Sequence, residues 1–433
     1  MNNSESSVLT GFLHSGKLTF YSCLLTVIVL PIHVDFLPPF MILWVICWLI
    51  ENKDDFKSQF DFNNDTFRLF IGFLLFFIWY ISGLFYTNDS HNGMLLVFRR
   101  LSFILFPLVL INPGDMIKKK IMLLLRIFSI STLLYVLFSF GFALYRSLYL
   151  KDGSFIFNPH PIDRDWDNYF FGTDFSFSQH PTYLAMYVML SFFIVFDSYF
   201  NRSIRRLYRY LWLVAGVILL VSLYFISSRA GILSAMILIP VYFIVQFSKI
   251  KRGWISVLVV VGALAIFILS FLHNERIKYY LPDTPSSSVV DKLKLDNRVP
   301  IWKSAIKVIR HNVVFGVGAG DASAEIRKAY KKAGYTEMYY DNLNAHNQYL
   351  ETFVANGLVG LTILLSIVAF MMYKAISRRG LIPILFTLII LIFFLFESIL
   401  NRIAGVTFFS LFAFLLMNLN ENNYHSVESF ADR

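Results

Sequence analysis

The chain has 433 residues, 57% hydrophobic, 18% aromatic and only 15% charged, with a formal net charge of +10. A soluble domain carries nearer a quarter charged residues, and 47 phenylalanines exceed what a water-facing surface tolerates. These figures exclude a soluble globular protein and point to an all-α polytopic membrane protein.

The apolar runs are roughly 18 to 25 residues long, enough to cross about 30 Å of hydrocarbon as helices. They lack the period-two alternation of an outer-membrane barrel. The first 16 residues are polar, without a basic n-region or a small-residue cleavage site, so no removable signal peptide is expected. After the tail 1–17, nine spans are predicted within 18–272: 18–34, 37–50, 67–85, 93–111, 120–146, 180–199, 208–227, 230–247 and 254–272. A long polar loop, 273–347, follows. Spans ten to twelve are predicted at 348–374, 381–400 and 404–419, ahead of a polar tail, 420–433. Cys23 and Cys47 both lie inside apolar runs, which excludes a disulfide framework and gives no support to a cysteine metal site.

Charge sets the orientation. With the N-terminus inside, the inner loops hold Lys53, Lys57 and Arg68, then Lys118 to Lys120, then Arg202, Arg205, Arg206 and Arg209. Lys249, Lys251, Arg252, Lys374, Arg378 and Arg379 follow the same pattern. The short outer loops are nearly bare, with none in 86–92, only Arg229 between spans seven and eight, and only Arg402 between eleven and twelve. This asymmetry predicts cytoplasmic termini and puts the 273–347 loop outside, in the periplasm of a Gram-negative cell. The basic charge is thereby accounted for; no motif for nucleic acid accompanies it.

Within that loop, residues 300–313 read as an amphipathic helix with Ile301, Trp302, Ala305, Ile306, Ile309 and Val313 on one face. Such a helix is expected to lie on the membrane surface. Residues 323–335 read as a second helix, and Pro282, Pro285 and Ser286 to Ser288 as irregular chain.

Several residues have the chemistry for a site on the outer face. Arg229, in a near-absent loop, is either a snorkelling boundary residue or a fixed anion ligand, and its breach of the outer-face depletion favours the ligand. Arg298 precedes the loop helix, where a helix N-terminus already attracts anions; it is either a bidentate phosphate ligand or a solvated charge. His346 stands where the loop returns to the membrane, beside Asn347. It can act as a general base, although a lone histidine is more often structural. Arg99 and Arg100 fall about two turns into span four, where charge is costly and usually faces a cavity or a partner. His180 and Tyr183 open span six and are expected to line the same cavity. Glu397 and Arg402 bracket the outer end of span eleven and are expected to pair. Gly357 and Gly360 permit close helix approach.

Two motifs mimic other sites. Gly316-Val317-Gly318-Ala319-Gly320 imitates a nucleotide loop but follows a helix rather than a strand. Asp163, Asp165 and Asp167, with Asp174 at the twelfth place, imitate a calcium loop. Asn168 stands where that loop needs glycine, which favours a solvated acidic loop over a metal site.

Taken together, residues 225–410 resemble the superfamily of O-antigen ligases and O-antigen polymerases. The resemblance is carried by His346-Asn347, nine residues, Gly357, two residues and Gly360, by Arg229-x-x-x-Leu233, by Arg298 ahead of the loop helix, and by Trp302 and Gly316-x-Gly318. It implies a GT-C-like glycosyltransferase in a bacterial inner membrane, working on the periplasmic side. The implied donor is a glycan on undecaprenyl diphosphate, and the implied acceptor in a ligase is a sugar hydroxyl of lipid A–core. Arg229 and Arg298 would bind the diphosphate and His346 would be the general base of an inverting, direct attack. From their positions rather than from the resemblance, Arg99, Arg100, His180, Tyr183, Asn347 and Arg402 are expected to contact substrate; the Arg99–Arg100 pair has no place in the superfamily pattern. No nucleotide, metal or other cofactor is implied. The histidine motif favours the ligase branch over a polymerase or a protein O-oligosaccharyltransferase. The first 150 residues match no motif of the superfamily. A flippase for the same lipid is the alternative from another class; an enzyme should gather Arg229, Arg298 and His346 in one outer cavity, whereas a transporter should line a path across both leaflets.

Overall fold

The computed structural model describes residues 16–52, 64–151, 153–160, 168–248, 298–341 and 343–419. The ninth predicted span, the prolines and serines of the long loop, the Asp163–Asp167 cluster and the C-terminal tail lie outside these residues. Among the described residues the chain is an all-α polytopic membrane protein with one β-hairpin. Eight helical stretches are long and apolar enough to cross a membrane, and three shorter apolar helices accompany them.

The helices are α1 (Lys17–Val29), α2 (Leu37–Glu51), α3 (Asp65–Ser82), α4 (Ser90–Arg99), α5 (Ser102–Leu110) and α6 (Asp115–Ser147). The hairpin β1 (Leu148–Lys151) and β2 (Ser154–Phe157) follows, antiparallel, with Leu148 opposite Phe157. Then come α7 (Gly172–Ser176), α8 (Pro181–Phe200), α9 (Arg206–Ile226), α10 (Arg229–Ser248) and the loop helices α11 (Arg298–His311), α12 (Ala322–Ala333) and α13 (Thr336–Tyr340). The chain closes with α14 (Gln348–Ser377), α15 (Leu381–Phe396) and α16 (Ile403–Met417).

The bundle centres on α8 and α16, whose side chains are almost all buried. Lipid tails supply no hydrophobic drive between helices, so van der Waals interlock must hold them. Phenylalanine does this here. Phe73 meets Phe103, Phe409 and Phe414 at 5.2–5.3 Å between centroids, and Phe128 meets Phe412 at 4.6 Å. These offset and edge contacts suit the aromatic quadrupole.

Four differences from the sequence reading shape the site. Span four is not continuous: α4 ends at Arg99, and Phe103 N donates to Arg100 O at 2.9 Å in a tight turn before α5 proceeds. Span ten breaks inside α14 at Gly357, which takes φ 63° and ψ −165°. Span eleven ends at Phe396, four residues early, so Glu397 lies beyond the helix. The loop helix α11 starts at Arg298 and buries Ile301, Ser304, Ala305, Val308 and Ile309. Ile306 and Val313, assigned to its apolar face from sequence, are 41% and 43% exposed. The inward face instead builds a second small core with Ile326, Tyr330, Val354 and Ala355.

The break in α14 explains the glycine-rich loop. A helix bent open at Gly357 leaves backbone groups without intrahelical partners. Val317 N and Gly318 N donate to Val354 O and Ala355 O at 2.9 and 3.0 Å, and Leu358 N donates to Val313 O at 2.8 Å. The Trp79 indole donates to Asn356 O at 2.9 Å. A Cβ at Gly316 would stand 2.6 Å from Gly357 N. The Gly316–Gly320 stretch is therefore a backbone plug for α14, and its amides are not arranged around a nucleotide. At its end, Asp321 accepts from Asn88 N and Asp89 N at 2.7 and 3.0 Å, tying the loop to the N-terminus of α4.

Candidate active site

The site is built where α14 begins, α15 ends and α16 begins. Asn347 caps α14: its Oδ1 accepts from Leu350 N at 3.0 Å, and its Nδ2 donates to Leu395 O at 3.2 Å. Both ends of this buried amide are occupied by backbone, so Asn347 joins α14 to α15 and offers nothing to a substrate directly. The preceding residue, His346, has φ 43°, a left-handed conformation uncommon for a non-glycine residue and frequent at functional sites. Its own N–H donates to Asn344 Oδ1 at 2.9 Å.

That turn carries the imidazole to Glu397. His346 Nδ1 lies 3.3 Å from each Glu397 carboxylate oxygen. Ser398 N donates to Glu397 Oε1 at 3.0 Å, which fixes the carboxylate. Burial alone would raise the Glu397 pKa; the His346 bond and charge, the His180 charge and the Ser398 amide outweigh it and hold Glu397 below its ordinary value. An ionised carboxylate on Nδ1 orients the ring and leaves Nε2 as the other proton-accepting atom. The pairing of Glu397 with Arg402 expected from sequence is thus replaced by a pair with His346.

A cavity of about 400 Å³ opens on this pair, walled by Arg99, His180, Tyr183, His346, Glu397 and Arg402, with Asp35, Gln179 and Ser398 among the remaining polar groups. Arg99 and Arg402 are exposed side chains without an ion-pair partner among the described residues. Arg402 is also the N-cap of α16 and gives no side-chain cap. Ile403 and Ala404, the first residues of that helix, line the cavity, so a helix N-terminus, a setting that favours anions, stands at its wall. His180 accepts from Thr182 N through Nδ1 at 3.3 Å, so a neutral His180 carries its proton on Nε2. Burial pushes His180 down; Glu397 opposes this, and Arg402 and His346 reinforce it.

The other predicted residues stand elsewhere. Arg100 is 2% exposed and is not among the residues walling the cavity. Its Nη1 donates to Leu96 O at 3.1 Å and its Nη2 to Asn401 Oδ1 at 2.7 Å, while the guanidinium lies 3.9 Å above the Tyr80 ring. It is a buried tie, not the substrate contact read from sequence. Arg298 donates to Phe396 O at 3.2 Å and covers the Phe396 ring at 5.0 Å, next to Glu397. Arg229 begins α10 and is exposed. Neither Arg229 nor Arg298 is among the residues walling the cavity, so the expected gathering of Arg229, Arg298 and His346 in one cavity is not met there. Asp174 forms an ion pair with Arg146 at 2.9 Å, and among the described residues no three His, Cys, Asp or Glu side chains gather as a metal-ligand set.

A bundle of membrane helices with a cation-lined cavity, and a carboxylate-oriented histidine in its wall, has the groups a membrane-embedded transferase would use. Residues 214–365 match the family model Wzy_C, described as O-Antigen ligase, so that stretch of the chain is similar to the O-antigen ligases. No curated protein matches the chain. The matched stretch contains Arg229, Arg298 and His346, whereas Arg99, His180, Tyr183, Glu397 and Arg402 lie outside it.

Proposed function

We propose that the protein is an O-antigen ligase that transfers a glycan from undecaprenyl diphosphate to a sugar hydroxyl of lipid A–core at the periplasmic face of the inner membrane. The observation that carries this reading is the 400 Å³ cavity in which the His346–Glu397 pair faces Arg99 and Arg402. The acceptor hydroxyl enters this cavity and hydrogen-bonds to His346 Nε2. Its oxygen attacks the anomeric carbon of the donor sugar as the bond from that carbon to the diphosphate oxygen breaks. The proton passes to Nε2, Glu397 stabilises the imidazolium, and the diphosphate leaves with the bonding pair. Attack opposite the leaving group inverts the anomeric carbon.

The developing negative charge needs preorganised cations. Arg99 and Arg402 supply them in the cavity, together with the N-terminus of α16. The superfamily implies a diphosphate role for Arg229 and Arg298, which here stand outside this cavity. Arg298 also holds the end of α15 that presents Glu397. His180 donates its Nε2–H, and Tyr183 shapes the wall. Asn347 acts through α14 by fixing the turn that aims His346.

A paired glycan profile of cells in which His346→Ala replaces the native chain tests the assignment. Long polymer stranded on the polyprenyl carrier with bare lipid A–core supports the ligase. Core capped by single repeats, with no long polymer anywhere, identifies a polymerase instead.

A further inference from the structure

We infer that a largely buried polar spine behind the cavity wall, running Arg100–Asn401–Glu351–Ala345, sets the spacing of the two cavity arginines from His346, and that Glu351 and Asn401 are positioning residues for the transfer. The inference rests on the reading of that cavity as the transfer site. Arg100 Nη2 donates to Asn401 Oδ1 at 2.7 Å, Asn401 Nδ2 donates to Glu351 Oε1 at 2.9 Å, and Ala345 N donates to Glu351 Oε2 at 3.0 Å. Each cavity group is the covalent neighbour of a spine member: Arg99 of Arg100, Arg402 of Asn401, and His346 of Ala345. The spine therefore joins three separate pieces of chain, the α4–α5 turn, the α15–α16 turn and the head of α14, directly behind the side chains that must act together. Arg100, Glu351 and Ala345 are 2%, 5% and 0% exposed and Asn401 is half-buried, so three of the four members are withdrawn from water.

The direction of the bonds is fixed. A guanidinium and a backbone N–H only donate. Asn401 must then turn its oxygen to Arg100 and its amine to residue 351, and residue 351 must accept twice. Glu351→Gln puts an NH₂ group against another donor whichever way either amide is turned. Asn401→Asp still accepts from Arg100 but sets a second carboxylate oxygen against Glu351. Made together, the two substitutions restore the set. Arg100 donates to the new aspartate, the new glutamine donates to that aspartate, and Ala345 N donates to the glutamine oxygen. The net charge of the spine is unchanged.

The test measures turnover and donor KM for Glu351→Gln, Asn401→Asp and the double variant in the full-length protein reconstituted in bilayers, with thermal unfolding of each. A displacement of about 1 Å between acting groups costs roughly 10²-fold in rate, so each single variant should lose about that in kcat, and the double variant should return to within about threefold of wild type. A double variant that is inserted and folded yet no faster than the slower single variant overturns the proposal, as do single variants at full turnover. If the variants fail to fold, hydrogen exchange of the wild-type segment 343–347 decides. The Ala345 amide should be protected well beyond that of half-buried Asn344, and rapid exchange there overturns the spine. Retained transfer in His346→Ala would defeat the reading of the site itself; full turnover of the single variants with loss in His346→Ala would defeat the spine alone.

Discussion

Gly357→Ala should unfold the junction on which the site stands. Gly357 has φ 63° and ψ −165°, a region essentially confined to glycine, where another residue costs about 1–3 kcal/mol. An added methyl would also overlap the Val314 carbonyl and stand 2.6 Å from Gly316 N. Both neighbours are backbone and cannot swing aside. Relief requires the loop to move, with loss of bonds such as Leu358 N to Val313 O at 2.8 Å and Val317 N to Val354 O at 2.9 Å, each worth about 1 kcal/mol net. The sum is roughly 3–5 kcal/mol. Gly141→Ala is the control, since nothing lies within 4 Å of a Cβ there and alanine favours a helix interior by about 0.5–1 kcal/mol. Thermal unfolding of the purified protein in detergent checks both. A Gly357→Ala protein as stable as the Gly141→Ala protein would refute the account of the break.

Glu397→Gln should leave the protein inserted and lower kcat by about 10–10²-fold, because the amide no longer stabilises the imidazolium; unchanged turnover would remove Glu397 from the mechanism. Arg99→Gln and Arg402→Gln should each weaken transfer, with the loss falling on donor rather than acceptor concentration dependence, as steady-state kinetics with both substrates varied would show. Asp321 sits below its ordinary 3.8, since the Asn88 and Asp89 amides outweigh its burial. Its contribution is therefore complete above pH 3.8 and disappears as pH falls through the lower folded value. Asp321→Asn should cost about 1.5–3 kcal/mol at neutral pH, and the gap in Tm between the two proteins should close in acid; a gap that persists there would contradict the hydrogen-bonded carboxylate.

The helices were legible because a continuous apolar run of bilayer length leaves few alternatives to a helix, and among the described residues eight of them reach membrane-spanning length. The loop helices α11 and α12 start within two residues of their predicted positions. What periodicity missed were breaks without a punctuating residue. The turn at Arg100–Leu101 has neither Gly nor Pro, so span four read as continuous, and Arg99 and Arg100 were indistinguishable. One residue of rotation makes the first an exposed cavity cation and the second a buried tie. Gly357 was visible, but as a packing glycine; its role in opening α14 depends on a loop some 40 residues upstream in the chain, Val313–Gly318, folding back into the gap. Glu397 carried a usable signal, a lone carboxylate at the end of an apolar run. Its partner was misread because the nearer candidate, Arg402, lies five residues away in sequence, while His346 reaches it only through the left-handed turn ahead of α14.

The most direct test of the central claim is transfer by purified full-length protein in bilayers, with polyprenyl-diphosphate glycan and lipid A–core supplied, comparing wild type with His346→Ala. The account predicts that the variant binds donor with similar affinity and loses transfer by at least about 10²-fold. Transfer at the wild-type rate by correctly inserted His346→Ala protein would contradict it.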